Sequence, residues 1–361
     1  GTGSGGAVNV PYTTNLLDSL RQCQNIRVNE ELAGAYESWL QENPFDDGGG
    51  GWAAEPWNQK EMPVTEEMIR QAASKSDKAL VVIGRTAGEG KDYEDLEDSY
   101  RLNSQEKELL RMVTGYFKKT AVILNVTCVI DMSFLAETYK NPITAVLYVW
   151  HGGQEGGNAA ADVITGKVTP GGKLADTIAY SLADYPSTAN HGGELENIYQ
   201  EDIYVGYRYF ETFAKEKVRY PFGYGLSYTT FDVQAALDMC SLPAGLAKGE
   251  VSKTDTLNVT YDITNTGDAA GKETIQFYVQ KPQGFLGKPS RELIRFAKTE
   301  LLEPGEGESG ILAIDFYALS SYDDSGITGH AFCYVLEEGT YTILAGTNVR
   351  NAKEIGSFAL T

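Results

Sequence analysis

The chain has 361 residues, with 30 Lys and Arg against 50 Asp and Glu, a formal net charge of −20. At roughly 100–200 residues per domain this length implies two domains, and 42% hydrophobic with 22% charged residues is globular rather than disordered composition. So acidic a surface repels nucleic-acid phosphates and anionic membranes, and no apolar run approaches the roughly 20 residues that span a bilayer.

The chain opens on Gly1-Thr2-Gly3-Ser4-Gly5-Gly6, which formally matches G-x-G-x-x-G. No strand precedes it and Pro11 follows before any helix, so the match is a poor dinucleotide fingerprint. Thr2 stands where a nucleophile elbow around Ser4 would need glycine. A glycine-rich turn beside a ligand is the use that remains. There is no basic, then apolar, leader pattern. A start without Met, in mid-motif, leads to the expectation of a lost upstream segment. Cys23, Cys128, Cys240 and Cys333 lie far apart without C-x-x-C spacing. They are expected to be buried thiols, not a zinc site. The missing leader pattern and the thiols lean towards a cytoplasmic location.

Residues 43–63 read as a loop holding Gly48 to Gly51, Trp52 and Trp57, with packing the commoner role for the tryptophans and stacking on a ligand the other. Ala79-Leu80-Val81-Val82-Ile83-Gly84 is a continuous apolar run, expected as a strand buried on both faces. Residues 104–118 carry Leu109, Leu110, Val113 and Phe117 at helical spacing, with Ser104 as the expected N-cap and Lys118-Lys119 at the C-terminus. Strands follow at 121–126 and 143–150, then a helix at 154–164 closed by Gly166. Strands separated by helices imply an α/β domain with a mostly parallel sheet flanked by helices. After about Phe231 the pattern turns to period two, with Leu257, Val259, Tyr261 and Ile263, then Ile275, Phe277 and Val279, then Tyr341, Ile343 and Ala345. Turn residues separate these runs, as in an all-β sandwich of immunoglobulin or fibronectin type. Residues 233–253 are its linker or first strand.

The densest chemistry follows the strand that ends at Gly84. Residues 87–98 hold six carboxylates and one ammonium, and open α/β sheets place their sites in loops at the carboxyl ends of strands. Taken only as a run of carboxylates, a solvated acidic loop is the commoner reading. Glu89 differs from the other five in sitting between Gly88 and Gly90, which lets the backbone approach another surface and leaves its side chain projecting. Neighbouring carboxylates favour its protonated form, as a general acid requires.

Ala87-Gly88-Glu89-Gly90-Lys91-Asp92 resembles the acid/base loop of family 3 glycoside hydrolases, the β-glucosidase family. Trp150-His151-Gly152-Gly153-Gln154-Glu155-Gly156-Gly157-Asn158-Ala159, Gly166-Lys167-Val168-Thr169-Pro170-Gly171-Gly172-Lys173-Leu174, Glu201-Asp202-Ile203-Tyr204-Val205-Gly206-Tyr207-Arg208-Tyr209 and Pro221-Phe222-Gly223-Tyr224-Gly225-Leu226-Ser227-Tyr228-Thr229 are similar to further segments of that family, in its order. So is the Ser4 loop, and Lys288-Pro289-Ser290-Arg291-Glu292-Leu293 and Leu302-Glu303-Pro304-Gly305-Glu306 resemble its fibronectin-like module. The resemblance implies an α/β-sandwich domain over 1–230 and a fibronectin type III-like β-sandwich over 231–361. It implies part of a retaining β-glycosidase, a β-glucosidase, with Glu89 as general acid/base and Ser4 in contact with the sugar. No metal or organic cofactor is required. The partners are a β-glycoside or oligosaccharide and a (β/α)8 barrel that carries the nucleophilic aspartate and is absent from this chain; a homo-oligomer is left open. Two departures stand out. Tyr93 replaces the arginine that usually follows the aspartate, and the barrel is missing. A non-catalytic carbohydrate-binding or scaffold fragment of the same fold is the rival reading. Whichever of the two holds, the commoner readings are that Glu155 is structural, that the glycines of 152–157 pack a helix N-terminus against the sheet, and that residues 221–229 seat the sandwich on the α/β domain.

Overall fold

The computed structural model describes residues 11–51, 53–86, 90–193 and 195–361. The chain forms two compact units, divided between Lys167 and Val168. Among the described residues no helix is long and apolar enough to cross a membrane.

The first unit contains α1 (Leu16–Arg21), α2 (Glu30–Glu42), α3 (Glu66–Lys75), β1 (Ala79–Gly84), α4 (Ser104–Tyr116), β2 (Thr120–Asn125), β3 (Ile143–Tyr148) and α5 (Gly156–Ile164). Its strands form a parallel sheet in the order β1-β2-β3, with Gly84 opposite Asn125 and Leu124 opposite Tyr148. The central strand β2 buries Val122, Ile123 and Leu124 on both faces. Strand β1, which among the described residues pairs with β2 alone, departs from the expectation of burial on both faces. It buries Val81 and Ile83 and leaves Leu80 and Val82 exposed. Helix α4 starts where expected, but its cap is Asn103, not Ser104. The Asn103 side chain accepts from the Glu106 N–H while Glu106 accepts from the Asn103 N–H, a reciprocal capping box.

Three helices, α1 to α3, were not foreseen. Each is short or mostly exposed, yet each has its cap: Asn15, Asn29 and Thr65 accept from the N–H groups of Asp18, Leu32 and Met68. Helix α5 packs against the start of α1. The Gly157 N–H donates to Thr14 Oγ1 at 3.1 Å, and Ser19 Oγ donates to Asn158 Oδ1 at 2.8 Å. Glu155 joins this contact, its carboxylate accepting from the Tyr12 hydroxyl and from Asn158 Nδ2. These bonds, the first more than the second, hold its pKa below the usual carboxylate value.

The second unit begins with β4 (Ile178–Ala179), α6 (Tyr207–Phe213) and β5 (Val218–Tyr220), where Phe210 is buried among Ala179, Ala214 and Val218. The sandwich follows: β6 (Phe231–Asp238), β7 (Thr256–Asn265), β8 (Thr274–Gln280), β9 (Glu292–Lys298), β10 (Gly307–Asp315), the one-turn α7 (Phe316–Leu319), the hairpin β11 (Ser321–Asp323) and β12 (Cys333–Val335), β13 (Gly339–Gly346) and β14 (Lys353–Leu360). The sheets run β10-β7-β6 and β14-β13-β8-β9, all antiparallel. Between them lie Leu257, Val259, Ile263, Ile275, Phe277, Val279, Tyr341 and Ile343, the residues of the period-two pattern. Residues 231–238 are thus the first strand of the sandwich.

Strand β8 is buried on its second face as well. Tyr278, Leu344, Val349 and Ala352 meet Tyr207, Phe222 and Leu293 there, with Phe222 stacked on Tyr207 at 4.7 Å. The stretch from Val168 onward therefore packs with the sandwich, joined also by Arg350–Glu211 at 2.9 Å and Lys173–Glu273 at 2.8 Å. The cysteines are thiols, but three are not buried: Cys128, Cys240 and Cys333 are exposed and Cys23 is half-buried. Cys128 follows the end of β2, Cys240 lies in the turn after β6, and Cys333 starts the short β12, so the exposed three are at the ends of strands.

The α1–α5 contact depends on one missing side chain. A Cβ at Gly157 would lie 2.5 Å from the Asn15 backbone, whereas one at Gly156 meets nothing within 4 Å. Alanine gains up to about 1 kcal/mol of helix propensity, but forcing a methyl against backbone costs about 1–3 kcal/mol. Gly157→Ala should therefore lower the urea midpoint of the first unit's unfolding, while Gly156→Ala should leave it unchanged or raise it.

Candidate functional site

Parallel strands end with their carbonyls pointing out of the sheet, and here three connections gather at that edge. The Arg85 N–H donates to Asn125 O at 3.1 Å and the Val149 N–H to Leu124 O at 3.0 Å, so the chain beyond β1 and β3 is fixed to the end of β2. The Tyr148 hydroxyl donates to Cys128 O at 2.7 Å and accepts from the Ile130 N–H, holding the 126–132 connection. His151, just after β3, bonds the backbone of Arg85, and burial keeps its pKa below the usual histidine value.

The two site residues expected from the sequence, Glu89 and Ser4, lie outside the described residues, as does Trp52. The surroundings of Glu89 in the chain are described. On the approach, Thr86 donates its N–H to Trp57 O at 2.8 Å and its hydroxyl to Pro56 O at 2.6 Å. On the exit, Gly90 takes a φ of +75°, open to glycine at little cost. Lys91 donates to Ala53 O at 3.3 Å and lies 5.9 Å from the Trp57 ring. The 43–63 loop is thus laid along the acidic loop, and Trp57 is half-buried with an ammonium over its ring. Tyr93, which stands where the family has arginine, bonds Thr127 Oγ1 at 3.1 Å.

The other carboxylates divide into two groups. Asp95 forms a two-pronged pair with Arg101, both distances 2.5 Å, and Glu97 pairs with Lys107 at 3.4 Å. Asp98, at a φ of +67°, accepts from Asn58 at 3.0 Å and Asn103 at 2.6 Å. Burial raises the Asp98 pKa, but the bonds from Asn103 and Asn58 outweigh it and leave it below the ordinary value. All five of these carboxylates, Asp92 and Glu94 included, are exposed. Beneath the loop Arg85 and Glu106 form an ion pair at 2.7 Å with 0% side-chain exposure on either partner. That pair was missed in the sequence. Its one legible sign was Asn103-x-x-Glu106, the capping-box spacing. Among the described residues no cluster of His, Cys, Asp and Glu could hold a metal ion.

Glu61 is half-buried near this pair, and its pKa is pushed up to about 6, by burial first and by the Glu106 charge second, against the pull of Arg85. A raised carboxyl pKa penalises the folded state only where the carboxyl must ionise. Below pH 4.5, the unfolded value, Glu61 carries its proton in both states; stability is then lost as pH rises to about 6 and stays lost above. Glu61→Gln should match the parent in urea unfolding at pH 4 and exceed it by about 1 kcal/mol at pH 7, partial exposure having reduced the full linkage value of about 2 kcal/mol. An equal difference at both pH values would show that Glu61 ionises normally.

The family model described as glycosyl hydrolase family 3 C-terminal domain matches residues 1–228, and that of a fibronectin type III-like domain matches residues 273–349. A β-glucosidase of Ruminococcus albus is 46% identical over the whole chain, which spans 36% of that relative's length. Among solved structures, a β-glucosidase from Paenibacillus barengoltzii is 51% identical with a TM-score of 0.93, covering all of this chain and 39% of that one. β-Glucosidase 3B from Thermotoga neapolitana in complex with glucose is 33% identical with a TM-score of 0.83, covering 99% of this chain and 48% of that one. The chain therefore spans less than half the length of these relatives. It belongs to glycosyl hydrolase family 3, of which it carries the C-terminal domain and a fibronectin type III-like domain.

Proposed function

We propose that this chain supplies the acid/base half of a retaining β-glycosidase that removes terminal β-D-glycosyl residues, with β-glucosides as the first substrate class. The observation that carries the reading is the position of the 86–98 loop. It leaves β1 at the carboxyl edge of the parallel sheet, flanked by connections fixed to that edge, and it is the segment that holds Gly88-Glu89-Gly90. The relatives named above, β-glucosidases in their printed titles, support the substrate class.

In this reading an aspartate on a (β/α)8 barrel, in polypeptide outside the present sequence, attacks the anomeric carbon from one face. Glu89 protonates the departing oxygen from the other, then takes a proton from the water that releases the sugar. Retention requires the two carboxyl groups to lie about 5–5.5 Å apart. Ser4 places a hydroxyl, both donor and acceptor, beside a ring hydroxyl of the sugar. Neither role calls for a metal or organic cofactor.

The test uses the full-length enzyme and leaving groups of graded acidity. General acid–base assistance contributes roughly 10²–10⁴-fold, so Glu89→Ala should lose about that much on a disaccharide. Formation of the glycosyl-enzyme from an aryl glycoside with a very acidic phenol should be largely spared. Azide, which needs no base, should restore turnover as a glycosyl azide. Asp92→Asn and Glu94→Gln should show none of this. Equal losses with good and poor leaving groups, and no azide rescue, would remove Glu89 from the role.

A further inference from the structure

Four residues before Glu89, Arg85 makes use of every donor it has. Its Nε–H reaches Ser99 O at 2.9 Å; Nη1 reaches Gly84 O at 2.7 Å and Glu106 Oε1 at 2.7 Å; Nη2 reaches Arg101 O at 3.1 Å and Glu106 Oε2 at 2.8 Å. These five bonds match the five N–H groups of a guanidinium. The three carbonyls are not a random set. Gly84 is where the chain leaves β1 to enter the 86–98 loop, and Ser99 and Arg101 are where it returns. One planar group thus holds the two feet of the loop at a fixed separation. Glu106 orients that group through its two oxygens, the second of which also accepts from the Asn103 N–H at 2.9 Å and so belongs to the first turn of α4. Ser99 extends the grip into the loop, its hydroxyl accepting from the Glu94 N–H at 2.9 Å. From its other side Arg85 is held by the Asn125 carbonyl and by His151.

From this geometry we infer that Arg85, clamped by Glu106, is the positioning residue for the general acid/base of the proposed reaction; the inference rests on the reading of Glu89 given above. A fully buried ion pair is a poor source of net stability, because desolvation consumes most of the attraction, and an apolar pair of similar volume often does as well. What apolar residues cannot do is tie three backbone carbonyls from opposite ends of a loop to one rigid fork. Lysine cannot either, since its ammonium has three donors and no planar geometry. A proton donor must be held within hydrogen-bond reach of the leaving oxygen, and a misplacement of about 1 Å can cost 10²-fold. Arg85 touches no reacting atom, so its effect must pass through the position of Glu89.

The experiment uses the full-length enzyme with three variants, Arg85→Lys, Arg85→Met/Glu106→Leu and Glu89→Ala, each shown to unfold cooperatively. For each, kcat/KM is measured against aryl β-glucosides spanning a wide range of phenol acidity and against a disaccharide. The double variant should lose about 10²-fold on the disaccharide with little change on the most acidic phenol. That steepens the dependence on leaving-group acidity in the same sense as Glu89→Ala, and azide should raise kcat on the most acidic phenol, where release of the glycosyl-enzyme limits turnover. Arg85→Lys, which keeps the charge and loses the fork, should show a smaller change of the same kind, and it decides the matter if the double variant does not fold. A uniform loss across all leaving groups, or no loss, with Glu89→Ala still steep, would overturn the positioning role and leave the acid/base reading standing. A flat response from Glu89→Ala itself would overturn both.

Discussion

A parallel sheet has to end, and where it ends its last carbonyls and the first N–H groups of the following loops need partners. In this chain that requirement organises the first unit. Neighbouring strand ends meet part of it, through Arg85 N–H to Asn125 O and Val149 N–H to Leu124 O. The remainder falls on the 86–98 connection, which is too long to be closed by a turn and returns at buried Ser99 and Tyr100. Unpaired buried backbone groups cost about as much as a lost hydrogen bond. A side chain with five donors at the first position after the strand meets the need in one place. Helix α4 then has its own first-turn Glu106 drawn in as counter-ion, so the cap of the helix, the end of the strand and the feet of the loop become one connected network.

The second unit obeys a different constraint. A sandwich strand normally buries alternate residues, but β8 buries Gln276 and Tyr278 as well as Ile275, Phe277 and Val279. Something must cover the outer face, and the stretch before the sandwich does so with Tyr207 and Phe222. The Tyr207 hydroxyl accepts from the Leu293 N–H at 2.9 Å, and Ser290 Oγ donates to Glu211 O at 2.9 Å. Aromatic pairs of this kind add about 0.5–1.5 kcal/mol each beyond the area they bury. The change in hydrophobic period near Phe231 and the break in packing at Val168 therefore mark different things. The first is where strands become antiparallel, and the second is where the chain begins to pack with the sandwich.

How much of this could be read from the residues follows from what each signal measures. Buried strands show themselves by composition, so 79–84, 121–126 and the period-two runs of the sandwich fall within a residue or two of β1, β2, β7, β8 and β13. Helix α4 showed its apolar stripe, of which Leu110, Val113 and Phe117 are buried. Helix α2 buries only Ala33 and α3 only Ile69 and Ala72, so neither has a stripe to find. Their sign was the cap followed by acidic residues in the first turn, Asn29 before Glu30-Glu31 and Thr65 before Glu66-Glu67. Glu89 stood out because its neighbours are glycines. Arg85 did not, since beyond the adjacent Gly84 its partners lie 14 to 21 residues away and no short motif records a pairing that only the fold creates.

The same structure bears on how an acid at position 89 could keep its proton. The density of carboxylates suggested mutual repulsion as the cause, but much of that charge is already balanced. Asp95 is paired with Arg101, Glu97 with Lys107, and Asp98 is held by amide donors that favour its ionised form. Lys91, two residues from Glu89, adds a cation that favours a carboxylate. These partners offset part of the repulsion that neighbouring carboxylates exert. Glu61 shows what raises a pKa in this unit: its carboxyl is pushed up to about 6 chiefly by burial, with the nearby Glu106 charge second and Arg85 opposing. By the same physics, a general acid on this loop draws its proton affinity from being covered. In the proposed reading, substrate and the remainder of the active site supply that cover, so protonation of the acid is coupled to occupancy of the site.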